Sequence, residues 1–248
     1  MGFLTPLTGV YCALVLLAGY ALRGSTGFGG FAAMPLLALV VPMKLLVPVW
    51  TLLTIASSAT IVLKDRKHVQ VHHLLRVIPT SFLGVLLGLY IFSQLDTVML
   101  ARGFGVFVLG YGLWSLRGTR ADTEPPSSRA RWFGDAASVM AGALGTVFGT
   151  MATIFFAVYL DLQRLSRRHF RGTLSAMMLA MGLARGAGYV GVDVLGVEAV
   201  ILFGAAFPLS LLGLYLGDRI HMTISDLAFR RIVCGILIVS GVLLLLKS

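Results

Sequence analysis

The chain has 248 residues, of which 58% are hydrophobic and 12% charged, with a formal net charge of +10. Soluble domains carry about 25% charged residues, so this composition, with a mean hydropathy of +0.92, excludes an ordinary soluble domain and indicates an all-α polytopic membrane protein. The positive charge does not point to nucleic acid, because Lys and Arg gather in short loops between apolar spans, as cytoplasmic loops do.

The first segment runs over 4–41. From Met1 to Val41 the only charged side chain is Arg23. The segment has neither a basic leader nor a small-residue cleavage site, so it reads as a retained span rather than a signal peptide. Its middle carries Arg23-Gly24-Ser25-Thr26-Gly27-Phe28-Gly29-Gly30. Lipid tolerates a broken backbone only where protein or a water-filled cavity satisfies the freed N–H and C=O groups. Segment 4–41 is therefore expected to be a broken or re-entrant glycine-rich hairpin. Full spans follow at 45–63, 77–95 and 98–116, each close to the roughly 20 apolar residues that a bilayer crossing needs.

A cytoplasmic linker, 117–133, contains Glu124-Pro125-Pro126-Ser127-Ser128 and divides the chain. Segment 134–160 then repeats the break as Gly145-Thr146-Val147-Phe148-Gly149-Thr150, and spans follow at 172–192, 197–217 and 229–246. The expected organisation is thus two four-segment repeats, 1–116 and 134–248. Pro79, Gly84 and Gly88 align with Pro208, Gly213 and Gly217, and Arg102 meets Arg231 at the same offset. The breaks align through Thr26 and Thr146, Phe28 and Phe148, and Gly29 and Gly149.

Loop charge sets the orientation. The basic loops are Lys64–Arg76, the linker, Arg164–Arg171 and Asp218–Arg231, whereas the loops near Asp96 and Asp193–Glu198 are acidic or nearly neutral. Placing every basic loop inside makes 134–160 enter and leave on one side. Segment 4–41 becomes its counterpart from outside, and three full spans per half invert the second copy. Inverted repeats with broken helices meeting at the midplane are common among transporters. Eight ordinary helices in parallel repeats are the alternative, with Arg164–Arg171 facing outward.

Helix termini within such breaks present unpaired N–H groups that suit anions. Arg23, Ser25, Thr26, Gly27, Phe28, Gly29 and Gly30 form one candidate anion cradle, with a full charge from Arg23. Gly145, Thr146, Phe148, Gly149 and Thr150 form a second, uncharged one. Close helix packing through small residues is the competing explanation for the glycines. Arg185 lies within span 172–192, where a central Arg costs roughly 2.5–3.5 kcal/mol on insertion scales. It could grip an oxyanion through two parallel hydrogen bonds, snorkel, or hydrogen-bond broken-helix carbonyls. Trp50, Thr51 and Thr54 give a weak signal for cavity lining.

Other chemistries find little support. His68, His72 and His73 sit in a basic loop and read as solvated surface. Cys12 and Cys234 lie within apolar spans with no Cys/His cluster, so no metal site, redox centre or cofactor is expected. Ser57 and Ser58 lack a membrane-depth base nearby in sequence, so an enzyme is disfavoured.

The octet at Arg23–Gly30 followed by Met34-Pro35-Leu36-Leu37 resembles the opening motif of the TauE/SafE sulfite exporter family. The Pro79…Gly84…Gly88 and Pro208…Gly213…Gly217 stretches are similar to that family, as is the basic loop leading into Gly172-Thr173-Leu174-Ser175. The resemblance covers nearly the whole chain. It departs where Thr150 and Phe155 stand opposite Gly30 and Pro35, so the two hairpins are expected to contribute unequally. The resemblance implies secondary transport of small sulfur-containing anions across the bacterial inner membrane by alternating access. An anion channel, or a non-transport assembly factor, is the alternative. The implied partners are a small anionic substrate, the lipid bilayer and a proton or sodium coupling ion, with homo-oligomerisation left open and no nucleic acid.

The orientation has a direct test. A cysteine introduced at Gln163 should resist an impermeant thiol reagent in intact cells and react after permeabilisation. Labelling in intact cells would contradict the inverted arrangement.

Overall fold

The computed structural model describes residues 5–26, 32–116, 128–163, 165–219 and 226–247. Among them the chain forms ten α-helices and no strands. They are α1 (Pro6–Thr26), α2 (Ala33–Ala38), α3 (Met43–Asp65), α4 (Val71–Gln94), α5 (Thr97–Leu116), α6 (Ser128–Phe148), α7 (Ala152–Leu162), α8 (Arg167–Gly191), α9 (Val197–Arg219) and α10 (Asp226–Lys247). The helices Pro6–Ser25, Met43–His68, Val71–Gln94 and Val197–Arg219 are long and apolar enough to cross a membrane. This is an all-α polytopic membrane protein.

The six full spans read from sequence each correspond to a helix, with ends displaced by a few residues. The second interrupted segment appears with unequal arms, and in the first the residues between the two arms, 27–31, lie outside the described residues. In the first, a 21-residue α1 precedes a 6-residue α2. In the second, a 21-residue α6 precedes an 11-residue α7. At 1.5 Å per residue the longer arms reach about 31 Å. Helix α6 begins at Ser128 rather than at 134, because its polar first turns, Ser128 to Trp132, continue the helix beyond the apolar stretch.

The chain divides into two compact units, and each draws on both halves of the sequence. The first comprises Met1–Leu46, Leu95–Ala121 and Gly204–Ser248; the second comprises Val47–Gln94 and Asp122–Phe203.

In the first unit, α9 lies on α1 through glycine. Gly217 and Gly24 leave no room for a Cβ against the carbonyls of Ala21 and Leu214, and a Cβ at Gly213 would come within 2.8 Å of the Leu17 oxygen. Helices α5 and α10 meet through Gly105 and Gly241, each facing the other's carbonyl. The Tyr11 hydroxyl donates to the Leu36 carbonyl at 3.0 Å, and Lys247 Nζ donates to that of Leu39, so the short α2 is held from both sides.

The second unit uses the same device. Gly84 and Gly142 abut the carbonyls of Val139 and Ser81, and a Cβ at Gly88 would lie 2.7 Å from the Ala143 oxygen. Lipid tails offer no hydrophobic gain over side chains, so helices in membranes associate through small residues that let backbones approach. The aligned Gly84/Gly88 and Gly213/Gly217 pairs thus have the same role, α4 on α6 and α9 on α1. The outward face of α4 is a band of exposed apolar side chains, Phe82, Leu83, Leu86, Leu87 and Tyr90.

The loop after α3 docks on the start of α8. Arg171 Nε lies 3.2 Å from an Asp65 carboxylate oxygen, and the Gln70 N–H donates to Thr173 Oγ1 at 3.0 Å. Gly172 lets the Asp65 backbone approach closely. The family-like Gly172-Thr173 pair therefore fixes a loop.

Close packing makes the glycines intolerant. Gly217→Leu should lower the thermal midpoint of the purified protein by several degrees, the overpacking cost being about 1–3 kcal/mol. Gly204→Ala, where a Cβ meets nothing within 4 Å, should leave it unchanged or higher. Equal midpoints for Gly217→Leu and the parent would refute the packing role.

Candidate substrate-binding site

The second interrupted segment builds its break from local backbone chemistry. Helix α6 stops at Phe148 because Gly149 takes φ 79°. This left-handed conformation is a common helix terminator, and glycine adopts it without steric cost. Thr150 and Met151 lead into α7, whose first turn tightens through Thr153 N–H to Thr150 O at 3.2 Å and Ile154 N–H to Met151 O at 3.1 Å. Gly145 lets α7 fold back, since a Cβ there would lie 2.7 Å from that of Ala152. Thr146, Phe148, Thr150 and Thr153 are all buried.

An interrupted helix leaves its last carbonyls without partners. Here α8 supplies them. Arg185 is fully buried, at 0% exposure. Its Nη1 donates to the carbonyls of Gly145 and Gly149, the latter at 3.0 Å, and its Nε donates to Met181 O at 3.4 Å. One turn on, the Tyr189 hydroxyl donates to the Thr146 carbonyl. Residues four apart share a helix face, so α8 grips three carbonyls of the break from one side. The same face accepts from Thr153, whose hydroxyl lies 3.4 Å from Met178 Sδ. A guanidinium at a helix C-terminus also complements the negative end of the macrodipole.

The fold thus brings Gly145, Thr146, Gly149, Thr150 and Arg185 together. Of the readings open for Arg185, hydrogen bonding to broken-helix carbonyls is the geometry observed. Thr146 turns its hydroxyl to Gly142 O of its own helix, at 2.7 Å. Gly145 is a packing glycine, whereas Gly149 is a conformational one.

In the first unit, Arg23 lies in the last turn of α1 and is 6% exposed. Ser25 donates its hydroxyl to Leu22 O at 3.1 Å, within its own helix. Gly27, Phe28, Gly29, Gly30 and the Thr26 side chain lie outside the described residues.

Sequence reasoning missed Tyr189, although its position four residues after a buried arginine was a readable signal. Trp50, Thr51 and Thr54 are fully buried on α3. Thr51 donates to Val47 O at 3.0 Å. His73 departs from the expected solvated surface. It is buried, with Nδ1 3.0 Å from the Tyr159 hydroxyl, because α4 begins at Val71 and carries it inward. Among the described residues no cluster of three or more metal-ligating side chains occurs.

The break places Gly149 in left-handed backbone that an L-residue adopts only at a cost. Gly149→Ala should destabilise the protein by about 1–2 kcal/mol, the cost of left-handed backbone for an L-residue. Thermal unfolding with and without the substitution measures it, and an unchanged midpoint would refute the assignment of the break.

The sequence has counterparts among known proteins. The profile of the family described as "Sulfite exporter TauE/SafE" matches residues 11–244. A curated relative, the "Probable inner membrane transporter protein TsaS" of Comamonas testosteroni, is 28% identical over 173 residues, covering 66% of this chain and 68% of the relative. No solved structure matches. The profile match takes in both interrupted helices, the paired glycine motifs and Arg185, and it establishes that the chain belongs to the sulfite exporter TauE/SafE family.

Proposed function

We propose that this protein is a secondary transporter of small sulfur-containing anions, sulfite, sulfonates or related organosulfur acids, acting in the bacterial inner membrane by alternating access. Family membership supports the class of activity. The relative's printed name, an inner membrane transporter, supports the location. The observation that carries the anion assignment is the buried guanidinium of Arg185 at the α6–α7 break.

A buried guanidinium places a permanent positive charge beside the break, where it favours a nearby anion. The first turn of α7 begins beside it. N–H groups at a helix N-terminus have no intrahelical partner and favour negative charge. Thr150 adds a hydroxyl at the same place. A sulfonate or sulfite group, with three oxygens and a delocalised negative charge, matches several short-range donors better than one point charge. Arg23 gives the first unit a buried guanidinium of its own at the end of α1. Alternating access would come from one repeat rocking against the other around that site.

The test is flux in proteoliposomes loaded with a panel of sulfite, alkyl and aryl sulfonates and thiosulfate, under imposed proton and sodium gradients. Saturable flux that accelerates with substrate on the opposite face is expected for at least one anion. Thr150→Val should raise KM about tenfold, as loss of a hydrogen bond to a charged group costs about 1.5 kcal/mol. No flux of any sulfur anion, or flux without saturation or exchange, would overturn the proposal.

A further inference from the structure

The carbonyl end of an interrupted helix is where membrane carriers commonly hold a coupling cation. At the end of α6 that place is filled. The oxygens that would ligate sodium, those of Gly145 and Gly149, both accept from Arg185 Nη1. The guanidinium is tethered at its other side by Nε to Met181 O, so it is held to its own helix as well as to the break. Tyr189 takes the carbonyl between them, that of Thr146.

Helix α8 is itself wedged. Its Gly182 and Gly186 face Ile55 of α3, with room for a Cβ only 2.9 and 3.2 Å from that side chain, and Gly188 meets Leu89 of α4. Phe92 of α4 lies against the Tyr189 ring, with centroids 5.3 Å apart. Among the described residues the buried set contains Arg23 and Arg185 but no Asp or Glu to offset a further cation.

We infer that Arg185, clamped with Tyr189, is the resident cation of the α6 terminus, so that this break takes no exchangeable sodium ion. This inference rests on the reading of the break as the substrate site. Arg185 and Tyr189 are then positioning residues. They act through the backbone of Gly149 and Thr150, and they set where the first turn of α7 presents its donors. A guanidinium stays protonated in proteins, so the cation is permanent.

The full-length protein in proteoliposomes tests this with two kinds of readout. One concerns flux: at fixed membrane potential, replacing sodium by choline should change wild-type transport by less than twofold. The other is independent of substrate. In a background lacking Cys12 and Cys234, the Thr150→Cys thiol should react slowly, and at least tenfold faster once Arg185→Ala is added. Millimolar guanidinium ion should slow that reaction again and raise the thermal midpoint of Arg185→Ala. The midpoint of the wild type should be the same in sodium as in choline. Arg185→Lys should recover more transport than Arg185→Ala, with the loss falling on KM more than on maximal rate. If Arg185→Ala does not fold, Tyr189→Phe should show the same faster labelling to a smaller degree.

Sodium-dependent wild-type transport, or sodium stabilisation of the wild type, would overturn the inference. Unchanged Thr150→Cys labelling in both variants would do the same. If no sulfur anion is transported at all, the functional reading fails, while labelling and the thermal midpoints still decide the clamp.

Discussion

Everything at the α6–α7 break depends on one interaction, the guanidinium of Arg185 on the carbonyls of Gly145 and Gly149. A helix interrupted inside a membrane leaves backbone polar groups that lipid cannot satisfy. Leaving them unmet would cost more than the break could return. Buried Arg alone is also costly in a bilayer. Each group answers the other's need: the carbonyls desolvated by the break receive donors, and the charge is spread over the negative end of a helix. Tyr189 completes the arrangement at Thr146. The break is therefore a built feature with its own support on α8, held by packing against α3 and α4.

Much of this was readable from residue order. Apolar spans of about 20 residues located the long helices, because length and hydropathy are one-dimensional properties. The second glycine-rich break was readable for the same reason, since a run such as Gly145 to Thr150 conflicts with an uninterrupted helix. Arg185 stood out as a charge at membrane depth. What it touches was not readable, because its partners lie 36 and 40 residues away in sequence. A carbonyl carries no signature in the residue that bears it. The pairing of helices was equally hidden. Gly84 and Gly213 were visible as repeat markers, but the backbones they admit, α6 and α1, belong to the opposite halves of the chain. His73 was misread because the start of α4 lies earlier than hydropathy alone implied, and a basic loop residue became a buried one.

The functional reading follows from charge and donor geometry rather than from glycine. Gly145 serves close packing and Gly149 serves helix termination. In the proposed reading, recognition falls to the guanidinium, the first turn of α7 and Thr150. Arg185 holds the carbonyls at the end of α6, and α7 begins beside it.

The most direct test of this account is amide hydrogen–deuterium exchange across Gly149–Ile154, with and without a sulfonate or sulfite present. Binding at the break should slow exchange of the first-turn amides of α7, including Met151 and Ala152, while distant helices such as α5 stay unchanged. Protection confined to other segments, with the α7 first turn exchanging at the same rate in both conditions, would contradict it.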